Sequence, residues 1–177
     1  MRRFALCAVL ALPAAAAPLR PGSPALSLRL ETAFVRPGDD SNSRGASAGL
    51  GAAWRLTDQL SVVGGASQSL LSVQQVPGGP RVSRGLTMMS AGLEALLDAT
   101  PIAPFLELCV VQLLPQSAAG YSLATRTALG ADWRIAPAFA LGLSVRTLTP
   151  LDSPNGVTPL SGTEIAARFV WVPGAKR

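Results

Sequence analysis

Glu94 and Glu107 are the side chains best placed by type for acid–base chemistry. Two carboxylates on neighbouring segments could divide the roles of proton donor and acceptor. Asp39-Asp40 offers a pair of oxygen ligands for a divalent cation. Gly49-x-Gly51 and Pro77-Gly78-Gly79-Pro80 have the glycine density of a phosphate cradle. The rest of the sequence withholds what each would need. There is no histidine anywhere in the chain, which removes the Ser-His and His-based general bases of most hydrolytic mechanisms and any Cys-His metal set. No strand–turn–helix pattern follows either glycine cluster. Asp39-Asp40 reads as a solvated loop. No catalytic, cofactor-binding or metal-binding residue is assigned, no cofactor is expected, and the chain is expected not to be an enzyme.

The elements that carry these residues explain them better. Leu26, Leu28, Leu30 and Phe34 share one parity while Arg29 and Glu31 take the other. Leu50, Ala52, Trp54 and Leu56 oppose Gly49, Gly51, Ala53 and Arg55. Leu129, Ala131, Trp133 and Ile135 oppose Gly130, Asp132 and Arg134. Phe139, Leu141, Leu143 and Val145 oppose Gly142, Ser144 and Arg146. Ile165, Phe169 and Trp171 oppose Glu164 and Arg168. A period of two is the period of a strand. Eight such stretches are predicted near 25–35, 46–56, 60–69, 86–97, 104–113, 122–135, 139–148 and 163–172, each about the length a tilted membrane-spanning strand requires. The connections alternate. Thr57-Asp58-Gln59, Ala136-Pro137-Ala138 and the segment 98–103 are short, whereas 36–45, the piece around Pro77-Gly78-Gly79-Pro80 and 149–162 are long, with 114–121 between. Leu50-Gly51-Ala52-Ala53-Trp54-Arg55-Leu56 recurs as Leu129-Gly130-Ala131-Asp132-Trp133-Arg134-Ile135, each copy running into a tight turn, which predicts one hairpin solution used twice.

An export signal precedes the strands. Arg2 and Arg3 form a positive n-region, Phe4 to Leu12 an apolar core too short to span a membrane, and Pro13 to Ala17 a small-residue cleavage region. The expected division is a cleavable signal over 1–17 and a single β-barrel domain over 18–177. Loss of Cys7 with the signal leaves Cys109 alone, so no disulfide forms within the domain. Charged residues make up 14% of the chain, against roughly 25% in soluble proteins; a barrel facing lipid accounts for the deficit. The net charge of +5 does not signal nucleic acid, because no basic cluster is interleaved with aromatic residues.

Trp54, Trp133 and Trp171 fall at one end of the pattern with Phe139, predicting half of an interfacial aromatic girdle. Phe34 and Tyr121 are the candidates at the other rim. The second parity holds Arg29, Arg55, Arg126, Arg134, Arg146 and Arg168 with Glu31, Glu94, Glu107, Asp132 and Glu164, spaced by Gly, Ala and Ser. Inside eight strands there is room only for side chains, so these charges are expected to cross the lumen and pair. Cys109, in parity with Phe105 and Glu107, should face inward. Gly64 and Ala66 should lie on the lipid face, where another barrel could approach closely. Parity alone also admits the inverse, a soluble secreted barrel of lipocalin type with its apolar face inside.

Gly49 to Thr57 followed by Leu60-Ser61-Val62, the related Gly130 to Ile135, and Ile165 to Trp171 together resemble the small outer-membrane β-barrel superfamily of OmpA-like and OmpX-like domains, over nearly all of residues 18–177. The resemblance implies an all-β, eight-stranded antiparallel up-and-down transmembrane barrel in the bacterial outer membrane, with short periplasmic turns and longer extracellular loops. It implies outer-membrane lipids and the barrel assembly machinery as partners, with a possible extracellular ligand at the loops and no nucleic acid. Such barrels usually end on an aromatic residue; here Val172-Pro173-Gly174-Ala175-Lys176-Arg177 follows Trp171, so an assembly signal would be internal. The expected function is a non-enzymatic barrel with a charge-plugged lumen, serving envelope structure or surface interaction through its loops. The alternatives are a narrow conduit or binding barrel for small apolar molecules, or the soluble secreted barrel.

Overall fold

The computed structural model describes residues 26–38, 44–74, 81–97, 101–116, 121–152 and 161–173. The expected signal over 1–17, Asp39-Asp40, Pro77-Gly78-Gly79-Pro80 and Lys176-Arg177 lie outside them. Eight strands follow in chain order: β1 (Leu26–Pro37), β2 (Arg44–Arg55), β3 (Leu60–Gln74), β4 (Arg81–Leu96), β5 (Ile102–Pro115), β6 (Ser122–Ala136), β7 (Phe139–Asp152) and β8 (Gly162–Trp171). Each pairs antiparallel with its sequence neighbour, and β8 returns to β1, closing the barrel. Closure satisfies the backbone ladder with no free sheet edge.

The tight-turn end is knitted by short-range chemistry. The Thr57 hydroxyl accepts from the backbone of Leu60 at 3.0 Å and of Gln59 at 3.3 Å, the local side-chain bonding that favours Thr in turns. Pro137-Ala138 alone separates β6 from β7. Backbone bonds from Leu96 to Gln59, Arg134 to Pro101 and Val172 to Ala138, 2.8–2.9 Å long, tie each turn to its neighbour.

All eight predicted strands exist, but those at the other end run on. β3 continues to Gln74, β4 begins at Arg81 and β7 reaches Asp152, so the connections there are shorter than their composition predicts. Arg36, Pro37, Arg44 and Gly45, expected in a loop, are strand residues. Past the apolar belt the outward face need not be apolar, and the parity signal that marks a strand lapses although the ladder continues.

Parity translates directly into two faces. Leu30, Phe34, Leu50, Leu106, Leu129, Leu143 and Ile165 are exposed around the outside, and Arg29, Glu94, Glu107, Arg146 and Arg168 are buried inside. This excludes the inverse arrangement with an apolar interior and a charged surface. The three tryptophans share one rim. Trp54 lies opposite Leu26, Trp133 opposite Ile102, and Trp171 opposite both Leu28 and Phe139. The Phe139 and Phe169 rings stack at 5.5 Å beside them.

Leu143 is 66% exposed in the middle of this outer face. We expect Leu143→Arg to destabilise the folded barrel in lipid vesicles by about 2–4 kcal/mol, as a cation near the bilayer midplane does, measured by reversible denaturant unfolding. An unchanged midpoint would mean that this face meets water.

Candidate functional site

Among the described residues, the buried charges converge in the lumen. Its centre is Glu94, 1% exposed, held between the two strands that close the barrel. Arg29 of β1 reaches one carboxylate oxygen at 2.5 Å, and Arg168 of β8 the other at 2.8 Å. Arg168 then forks onto Asp132 through Nε and Nη2, at 2.6 and 2.5 Å, the bidentate geometry that a planar guanidinium favours. Its charged carbon lies 3.4 Å from the centre of the Phe105 ring, a cation–π contact. Glycines make the stack possible. A side chain at Gly130 would meet the Phe105 ring, and one at Gly142 would meet the Asp132 carboxylate and Arg168.

A second layer lies on the adjoining wall. Arg126 donates to Glu107 at 2.8 Å and to Ser90 at 3.3 Å, and the Cys109 thiol donates to the same Glu107 oxygen at 3.3 Å. Arg29 also lies 3.7 Å from Glu107. On the opposite wall Arg146 pairs with Glu31 at 2.8 Å and donates from Nε to Ser144 at 3.3 Å. Glu164 is buried directly across the β7–β8 register from Arg146.

Glu94 and Glu107, the carboxylates whose types suggest acid–base work, are indeed opposite one another in the β4–β5 register. Each is ion-paired with arginine, Glu94 with Arg29 and Arg168, and Glu107 with Arg126. Cys109 faces inward as its parity predicts and is buried. Gly64 and Ala66 lie on the outward parity of β3, opposite Ala52 and Leu50. Arg55 and Arg134 line the mouth at the tight-turn end, with Arg29, Glu94 and Asp132 deeper in the same cavity.

The sequence reasoning missed the other half of the lumen. Val35, Leu71, Leu86, Met88, Val111, Leu113 and Leu148 form a buried apolar cluster toward the end with the longer connections. The signal was present as large apolar residues on the inward parity, but at Leu70-Leu71, Val110-Val111 and Leu113-Leu114 both parities are apolar and alternation is silent.

The geometry predicts that Arg168→Gln, which strips a partner from both Glu94 and Asp132, destabilises the barrel by about 3–5 kcal/mol. Gly142→Ala, which leaves the charges in place but intrudes on the fork, should cost about 1–3 kcal/mol, the range for overpacking. Denaturant unfolding in vesicles measures both, and equal losses would show that the fork itself contributes little beyond its packing.

No protein-family model matches the chain, and no curated protein matches it in sequence. Solved structures do. Neisserial surface protein A (NspA) aligns with a TM-score of 0.68 and 14% identity, covering 84% of this chain and 97% of that one. Outer membrane protein OprG from Pseudomonas aeruginosa aligns with a TM-score of 0.51 and 11% identity, covering 87% and 96%. At such identities the likeness is one of architecture. With its closed ladder, its apolar outside and its inward charges, the chain has the fold of the small eight-stranded outer-membrane β-barrels.

Proposed function

We propose that the protein is a non-enzymatic barrel of the bacterial outer membrane, sealed through its lumen, that serves envelope structure or surface interaction through its longer connections. The observation that carries this reading is the division of faces. Large apolar side chains stand exposed around the outside, while Arg29, Arg126, Arg146 and Arg168 are buried and neutralised by carboxylates within. Such an exterior is unstable in water, since large exposed apolar patches drive association. Such an interior has no need of bulk solvent. The Trp-bearing rim, with its tight turns and both strand termini, then lies in the periplasm, and the longer connections face outward.

Two barriers stand in series along the lumen. The ion-paired layers occupy the part nearer the tight turns, and the apolar cluster from Val35 to Leu148 the part beyond. An ion entering from the periplasm meets the first, and a wetted path must still cross the second, which repels water as hydrophobic constrictions do. Neither barrier offers a poised nucleophile or base.

Refolding the chain with and without detergent micelles, followed by electrophoresis of boiled and unboiled samples, tests the membrane assignment. We expect a faster unboiled band only with detergent; a folded species in plain buffer would overturn it. Planar-bilayer recording tests the seal. We expect no steady conductance above the bare bilayer, and a sustained ohmic current would replace a sealed lumen with a conduit.

A further inference from the structure

Three arginines of outward parity stand at the same end of the described strands: Arg36 on β1, Arg44 on β2 and Arg81 on β4. The charges of the central network take inward parity. Arg36 follows Phe34 on the outer face, and Arg44 precedes Ala46 on its own. The β1–β2 register that sets Phe34 against Ala46 and Val35 against Gly45 brings Arg36 and Arg44 side by side in the next row. That row continues in hydroxyls on both flanks. Arg36 lies opposite Thr163 and Thr163 opposite Thr147, while Arg44 lies opposite Ser72 and Ser72 opposite Ser83.

The height of the pair is fixed by the strands. Arg36 and Arg44 stand ten positions from Leu26 and Trp54, which mark the opposite rim. At about 3.3 Å per residue and the roughly 40° tilt of such strands, that is about 25 Å, the height of the apolar band. Both guanidinium groups therefore sit at the outer interface, their stems able to lie along the apolar surface with the heads at headgroup depth. Arg84 stands beside Leu71 in the β3–β4 register and Arg81 beside Gln74, further out. Among the described residues no carboxylate forms an ion pair with any of the four. Even with Asp39 and Asp40 of the intervening segment and Asp152 at the end of β7 counted against the four, the sum is positive.

We propose that Arg36 and Arg44 form a binding site on the outer rim for the phosphate groups of a phosphorylated lipid of the outer leaflet. The inference rests on the membrane reading above. Two adjacent forked donors with hydroxyls on either side match a tetrahedral oxyanion, and the face they occupy is reached from within the leaflet rather than from the lumen.

The test uses the protein refolded in micelles as wild type, R36Q/R44Q, R36K/R44K and R81Q/R84Q, each first shown to give the faster unboiled band. Failure at that step by the wild type concerns the membrane reading alone. Each is then incorporated into phosphatidylcholine vesicles with and without lipopolysaccharide, re-extracted, and assayed for retained lipopolysaccharide and for the temperature at which the band shifts. We expect retention to fall about tenfold or more in R36Q/R44Q, the order expected when two arginines leave an anionic interface. R36K/R44K should keep most of it, and R81Q/R84Q should lose less than R36Q/R44Q. Unchanged retention in R36Q/R44Q, or an equal fall in R81Q/R84Q, would overturn the proposal. So would inorganic phosphate alone raising the shift temperature as much as lipopolysaccharide does, since the site would then belong to free phosphate.

Discussion

A backbone surrounded by hydrocarbon must satisfy every N–H and C=O within itself, and in strands that is possible only if the last returns to the first. The β1–β8 ladder from Leu28–Trp171 to Pro37–Gly162 is that return. Once it exists, the freedom of the other side chains is small. Each residue faces lipid or lumen, a one-position slip would exchange the two, and the eight-stranded circumference leaves an interior only as wide as the side chains that fill it.

The interior answers that constraint with a division of labour among sizes. Long side chains reach inward from some strands because others present almost nothing. Phe105 lies against Gly130, Arg168 against Phe105, and the carboxylates of Asp132 and Glu94 against Arg168. The β2–β3 wall shows the same economy, with Gly49, Gly51 and Gly65 lining the space beside Arg29, Glu31 and Arg126. Burial of so many charges is tolerable because Arg29, Arg126, Arg146 and Arg168 each touch at least one acid, and Glu94, Glu107, Arg29 and Arg168 are each shared between pairs. Where no charge is present the lumen closes by ordinary apolar packing.

How much of this could be read from the chain depended on contrast between the two faces. At Trp133-Arg134 or Phe169 with Arg168, an apolar residue beside a charged one fixes parity at once, and strand identity, the aromatic rim and the Glu94–Glu107 adjacency all followed. At Val110-Val111 or Leu113-Leu114 the faces are alike, so the apolar half of the lumen was hidden. From Arg81 to Arg84 the residues are exposed on both parities, and a strand above the bilayer looks like a loop. Partner choice within the network was also illegible. Six arginines and five acids admit many pairings, and only the stagger of the closed sheet decides that Arg29 meets Glu94 while Arg146 meets Glu31.

The attachment of Glu94 to the two ends of the domain has a kinetic meaning. Its partners are separated from it by 65 residues on one side and 74 on the other, and its nearest neighbour across the β4–β5 hairpin is another glutamate. A hairpin formed early therefore carries two like charges side by side, its own arginines, Arg81 and Arg84, standing at the far end of β4. Glu107 gains Arg126 when β6 pairs with β5, but Glu94 gains its partners only when the first and last strands come together. An open sheet is thus electrically unfinished as well as unpaired along its edges, and both defects are repaired by the same event. Insertion strand by strand would leave Glu94 without either arginine until the seam closed, so the charge pattern disfavours that order and favours closing the seam while the inward face still meets water.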